Sequence, residues 1–170
     1  CRIFSAASQT GIALTHLPVL YAHGGFGGRA PLDSQKRFLH DVDSFARLVS
    51  ELQSRCHDLP LTETGMAFHS LRAVSPDMMT QIIKFITNGP IHIHISEQIR
   101  EVEQCLEWSR QRPIEWLLHN HQVDNRWCLV HATHMTENET VSLAKSGAVA
   151  GLGGPAGGGD CKRRLVVSCR

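Results

Sequence analysis

Five short apolar runs, separated by stretches of helical periodicity, limit what this chain can build. They fall at residues 12–21, 64–70, 90–96, 126–132 and 147–152. After the first, Phe38, Val42, Phe45, Leu48, Val49 and Leu52 recur at steps of three and four. That spacing predicts an amphipathic helix over 34–55, capped by Asp33 or Ser34. Ser75-Pro76 opens another helix with a capping residue and a first-turn proline, carrying Met79, Ile82, Ile83 and Ile86. Helices are also expected over 98–110, 113–119 and 136–145, the last capped by Thr136 with Glu139 at the capping-box position. Strands alternating with helices in this way form β-α units and a parallel sheet.

Such a sheet is either doubly wound or part of a (β/α)8 barrel. No G-x-G-x-x-G opens a helix after the first run, and the glycine-rich loop 24–28 lacks the Lys-Ser/Thr of a phosphate cradle. The residues fit for chemistry stand at the ends of several different strands, as at the rim of a barrel. A complete barrel takes about 250 residues, so these 170 residues read as an α/β chain forming a partial (β/α)8 TIM barrel. The barrel segment is expected over 1–152, followed by a divergent glycine-rich and basic tail over 153–170.

Apolar residues at 42%, charged residues at 19% and a net charge of +1 support a core and argue against a disordered tail or a nucleic-acid binder. No apolar run of about 18 residues is present to span a membrane. The opening Cys1-Arg2-Ile3-Phe4 has neither an initiator Met nor a signal-peptide pattern, which suggests a cut N-terminus. Six cysteines without C-x-x-C or framework spacing read as reduced thiols of a cytoplasmic protein. Histidine is enriched, at 11 residues, and it is the commonest metal ligand and acid/base side chain near neutral pH.

In Ile91-His92-Ile93-His94-Ile95-Ser96-Glu97, period two puts both histidines on one face and the isoleucines on the other. His94 then lies nearer the active-site mouth, with His92 one layer deeper. A lone strand histidine is usually a hydrogen-bonded core residue. Two on one face, with Glu97 at the strand exit, bring a metal or catalytic reading level with that one. The next strand ends in His131, with His134 in the following turn as a candidate helix cap. The preceding one ends in His69-Ser70-Leu71-Arg72, where His69 and Arg72 together suit an anionic group.

The order of a strand with His-x-x-Glu at its end (His94 to Glu97), followed by a strand ending in His131, resembles the deaminase branch of the amidohydrolase superfamily. AFHSLRAVSP at 67–76, HIHISEQ at 92–98, EVEQCLEWS at 101–109, RPIEWLL at 112–118 and RWCLVHATHMT at 126–136 resemble its formimidoylglutamate deiminase family. LPVLYAHGGFGG at 17–28 and SGAVAGL at 146–152 fit the same family. The resemblance implies a central segment of the barrel, about strands three to seven. It also implies one divalent metal, usually Zn2+, and deamination of N-formimidoyl-L-glutamate to N-formyl-L-glutamate and ammonia in histidine degradation.

It further implies His94 as a metal ligand and Glu97 as the acid/base. His131 would orient the attacking water, and His69 and Arg72 would hold the substrate's glutamate end. The family's other ligands, an H-x-H on the first strand and an Asp after the eighth, match no segment here, so the activity is expected to be incomplete in this chain alone. The expected partner is a small molecule, with no nucleic acid and no membrane, and a homodimer for a full-length parent. Two alternatives remain: another amidine or purine deaminase of the superfamily, and a non-catalytic fragment or interaction protein that keeps the fold elements.

Overall fold

The structure, a computed structural model, describes residues 2–86 and 88–151. In chain order its elements are α1 (Arg2–Thr10), β1 (Leu14–His16), β2 (Val19–Leu20), a 3-10 helix (Asp33–Phe38), α2 (Val42–Cys56), β3 (Thr62–Thr64) and β4 (Met66–Phe68). There follow α3 (Pro76–Ile83), β5 (Ile91–Ile95), α4 (Ile99–Ser109), α5 (Pro113–Asn120), β6 (Trp127–His131), α6 (Glu137–Ser146) and β7 (Val149–Gly151). The expected tail at 153–170 lies outside the described residues.

β2, β4, β5, β6 and β7 form one sheet in that spatial order, every pair parallel. Each strand lies beside its predecessor in the sheet, and the order never reverses. Right-handed crossovers that always step the same way keep the helices on one side of the sheet, as barrel closure requires. A doubly wound sheet would show a switch point where the order turns back. This sheet has none, and the partial barrel stands.

Two of the expected strands are broken. Residues 12–21 divide into β1 and β2 around Leu17-Pro18, and the strand expected over 64–70 instead spans 62–68, divided into β3 and β4 at Gly65. β1 and β3 pair with the same sequence offset as β2 and β4, so one ladder continues across the break. The cause is a close approach. The Gly65 backbone sits against Pro90, where a Cβ would lie 2.1 Å from the Pro90 carbonyl oxygen, and that oxygen accepts the Met66 N–H at 2.9 Å. Here β5 enters the sheet, and only glycine leaves it room.

The helix expected over 34–55 also divides. A 3-10 turn ends at Phe38, and α2 restarts with Asp41 as its cap, whose carboxylate accepts the Ser44 N–H at 2.7 Å. Between them the His40 N–H donates to the Tyr21 carbonyl at 2.9 Å, a tertiary bond that draws the chain out of helical geometry. Phe38 is exposed in consequence, while Phe45, Val49 and Leu52 bury as their spacing predicts. The main core joins Ile91, Ile93, Ile95, Leu129, Trp127 and Phe68 to the inner faces of the helices. A smaller cluster packs Phe4 of α1 against Leu52 and Cys56.

Candidate active site

β5 buries Ile91, Ile93 and Ile95 and leaves His92 and His94 partly exposed on the opposite face. The strands beside it deliver two more imidazoles to the same end. The His69 and His94 ring centroids are 5.5 Å apart, and those of His94 and His131 are also 5.5 Å apart. The three imidazoles therefore stand in a row across the ends of three neighbouring strands. Glu97 completes the group, its Oε1 lying 3.7 Å from His131 Nε2.

The backbone at this rim is unusual. Ser96, His131 and Ala132 have φ of +51°, +72° and +49°, left-handed values that non-glycine residues rarely adopt. Each costs on the order of 1–3 kcal/mol, and such outliers gather at functional sites. The Ala132 N–H donates to the Ile95 carbonyl and the His134 N–H to the Ser96 carbonyl, both at 3.0 Å, so the two strand exits are tied together.

His94 Nδ1 lies 2.8 Å from the His69 carbonyl oxygen. A carbonyl only accepts, so Nδ1 carries the proton and Nε2 keeps its lone pair. Metal-binding histidines are commonly fixed in this manner, through a hydrogen bond from the other ring nitrogen. His69 packs edge-on against Tyr21 at 4.6 Å and meets Ser70 Oγ through Nδ1 at 3.2 Å. Burial first, then the charges of His94 and Arg72, pull its pKa down, while Glu97 pulls it up. That imidazole is therefore held toward its neutral form.

Arg72 lines a different cavity from His69. It shares a space of about 580 Å³ with Arg29, Arg100, Gln98 and Trp108, whereas His69 lines one of about 570 Å³ with Tyr21 and His40. Sequence reading singled out Arg72 and passed over Arg29 and Arg100, which are distant in sequence. Glu107 also lines this cavity, so three guanidinium groups stand with one carboxylate, a net positive lining that suits an anion such as a carboxylate. Among the described residues no three His, Cys, Asp or Glu side chains gather as a metal-holding group. The structure brings His69, His94, His131 and Glu97 to one rim as a row of neighbouring pairs, not as one metal-holding set, and leaves His134 in the adjoining loop.

No protein-family model matches the chain. It is 47% identical over 156 residues to the formimidoylglutamate deiminase of Pseudomonas aeruginosa, covering 89% of this chain and 33% of that protein. A crystal structure of an amidohydrolase from Brucella melitensis is 48% identical and superposes with a TM-score of 0.85, covering 88% of this chain and 34% of that one. The chain belongs to the amidohydrolase superfamily. It spans about a third of the length of the curated relative it matches. An adenosine deaminase from Xanthomonas campestris with bound zinc superposes with a TM-score of 0.69 at 22% identity over 85% of this chain and 31% of that one, which shows the shared barrel fold.

Proposed function

We propose that this amidohydrolase chain carries part of the active site of a formimidoylglutamate deiminase, which hydrolyses N-formimidoyl-L-glutamate to N-formyl-L-glutamate and ammonia. The observation that carries this reading is the hydrogen bond from His94 Nδ1 to the His69 carbonyl, which presents Nε2 as a ligand in the middle of the histidine row. A catalytic zinc takes about three protein ligands and an open position. His94 fits as one of them. When bound, a divalent metal supplies the acidity that makes water a nucleophile near neutral pH.

The chain's own residues handle the proton and the substrate. Glu97 accepts the proton of the attacking water and passes it to the imino nitrogen. It then takes the second proton from the hydroxyl on the tetrahedral carbon and delivers it to the amino group, which leaves as ammonia as the formyl C=O forms. His131, beside that carboxylate, orients the water and stabilises the tetrahedral intermediate. Arg72 holds the glutamate end, with Arg29 and Arg100 adding positive charge around it, while His69 lies apart from them in a separate cavity with Tyr21 and His40. The reading places the longer protein in histidine degradation in the cytoplasm, with a small-molecule partner and a homodimeric assembly. The thiols Cys56 and Cys105, buried and outside any disulfide, support that compartment.

Grafting the chain in place of the matched third of the Pseudomonas aeruginosa deiminase tests the activity. Zinc-dependent ammonia release from formimidoylglutamate, and none from adenosine, is expected. Preference for adenosine would move the reading to a purine deaminase. A folded, zinc-loaded graft that turns over neither substrate would favour the non-catalytic alternative.

A further inference from the structure

The turn that carries Glu97 out of β5 is held by a group with no part in the proposed chemistry. Glu101 is 1% exposed and stands at the third position of α4. A glutamate there ordinarily reaches back to the amide of the capping residue. Glu101 reaches further: its Oε1 accepts the Ser96 N–H and its Oε2 the Glu97 N–H, each at 3.1 Å. Gln98, the capping residue, makes no side-chain cap bond. One carboxylate therefore grips two successive amides in the segment that joins His94 to Glu97.

The grip reaches beyond that segment. The Ser96 carbonyl accepts the His134 N–H at 3.0 Å, so the held residue also anchors the loop that follows His131. Ser96 is fully buried with φ at +51°, a conformation that a serine keeps only when its surroundings hold it there. A carboxylate accepting two backbone amides makes charge-assisted bonds, stronger than neutral ones. Burial pushes the Glu101 pKa up, and the charge of Arg72, on the turn after β4, together with the two backbone amides pulls against that rise, while Glu97 adds to it.

We propose that Glu101 is a positioning residue that holds the Ser96–Glu97 turn in its left-handed form and so aims the Glu97 carboxylate at His131. The catalytic part of this inference rests on the reading of Glu97 as the proton carrier. The grip itself does not.

Amide hydrogen exchange of the chain, followed by NMR, tests the grip without any turnover. The Ser96 and Glu97 amides should exchange as slowly as the interior of β5, although they lie beyond its end; fast exchange there would overturn the proposal. Glu101→Gln keeps the size but sets an amide N–H against one of the two backbone donors. Ser96, Glu97 and His134 should then exchange about tenfold faster or more, while Leu129 inside β6 stays protected. Unchanged rates at Ser96 and Glu97 would likewise overturn it. In the graft, Glu101→Gln should lower kcat by about 10–100-fold through misplacement of the carboxylate, with KM nearly unchanged. Lost protection with an unaltered kcat would refute the positioning role. A graft that is inactive with Glu101 intact would instead refute the deiminase reading and leave the exchange data to decide the grip.

Discussion

At the scale of single residues, His94 shows what a sequence can and cannot disclose. Strict alternation in Ile91–Ile95 fixes which face the imidazole takes, because period two is a property of the strand alone. The tautomer comes from the His69 carbonyl, 25 positions away in sequence, and no local pattern announces it. Glu101 was hidden for a related reason: a glutamate early in a helix reads as solvated charge. The available signal was a glutamate at a capping-box position whose capping residue is not Ser or Thr.

His121 carries a prediction of its own. Its ring packs edge-on against Trp116 at 5.7 Å, and burial holds its pKa below the ordinary 6.5. The fold favours the neutral ring, whereas the unfolded chain takes up a proton near 6.5. The stability this contributes is complete above that value and is lost as pH falls through it toward the lower folded pKa. Thermal unfolding followed from about pH 8 to about pH 5 should show a smaller acid-side loss of Tm in His121→Phe than in the unaltered chain. Equal losses in the two proteins would contradict it.

At the scale of elements, the helix starts were legible where the cap is local. Ser75-Pro76 opens α3, with Ser75 Oγ accepting the Met78 N–H at 3.3 Å, and Thr136 with Glu139 opens α6 by mutual side-chain bonds. The breaks at Gly65 and His40 were not, because a distant carbonyl causes each. α4, α5 and α6 all carry a glutamate at their third position, and in α6 it has a second duty. Glu139, 4% exposed, binds Arg112 Nε at 2.8 Å, and the same guanidinium donates to the His134 carbonyl. This clasp holds the loop after His131 at the His134 carbonyl, while Ser96 holds it at the His134 N–H. Arg112→Leu leaves the buried carboxylate with less compensation and should destabilise the chain by about 1–3 kcal/mol, with Arg112→Lys falling between the two. Urea unfolding measures it, and a midpoint unchanged by Arg112→Leu would show that the clasp adds nothing.

At the scale of the whole molecule, the one-way strand order is what assembles the site. Each step around the sheet brings another strand end to the same rim, so His69, His94 and His131 meet although they are far apart in the chain. That convergence was readable in outline, since a parallel sheet with chemistry at several strand ends implies one rim. The three-arginine cavity was not, because it needs the loop after β2 folded over α4. Among the described residues no helix is long and apolar enough to cross a membrane.

We propose that this rim performs proton transfer for an amidine hydrolysis, with Glu97 as the carrier. The most direct test is the turnover of formimidoylglutamate by the graft with Glu97→Gln, with zinc content measured alongside. The amide keeps the size of the side chain and cannot take the proton of the attacking water. We expect kcat to fall by roughly 10²–10⁴, as for a lost general acid/base, with zinc retained. Near-normal kcat in that variant would make Glu97 a structural residue of the turn and contradict the account.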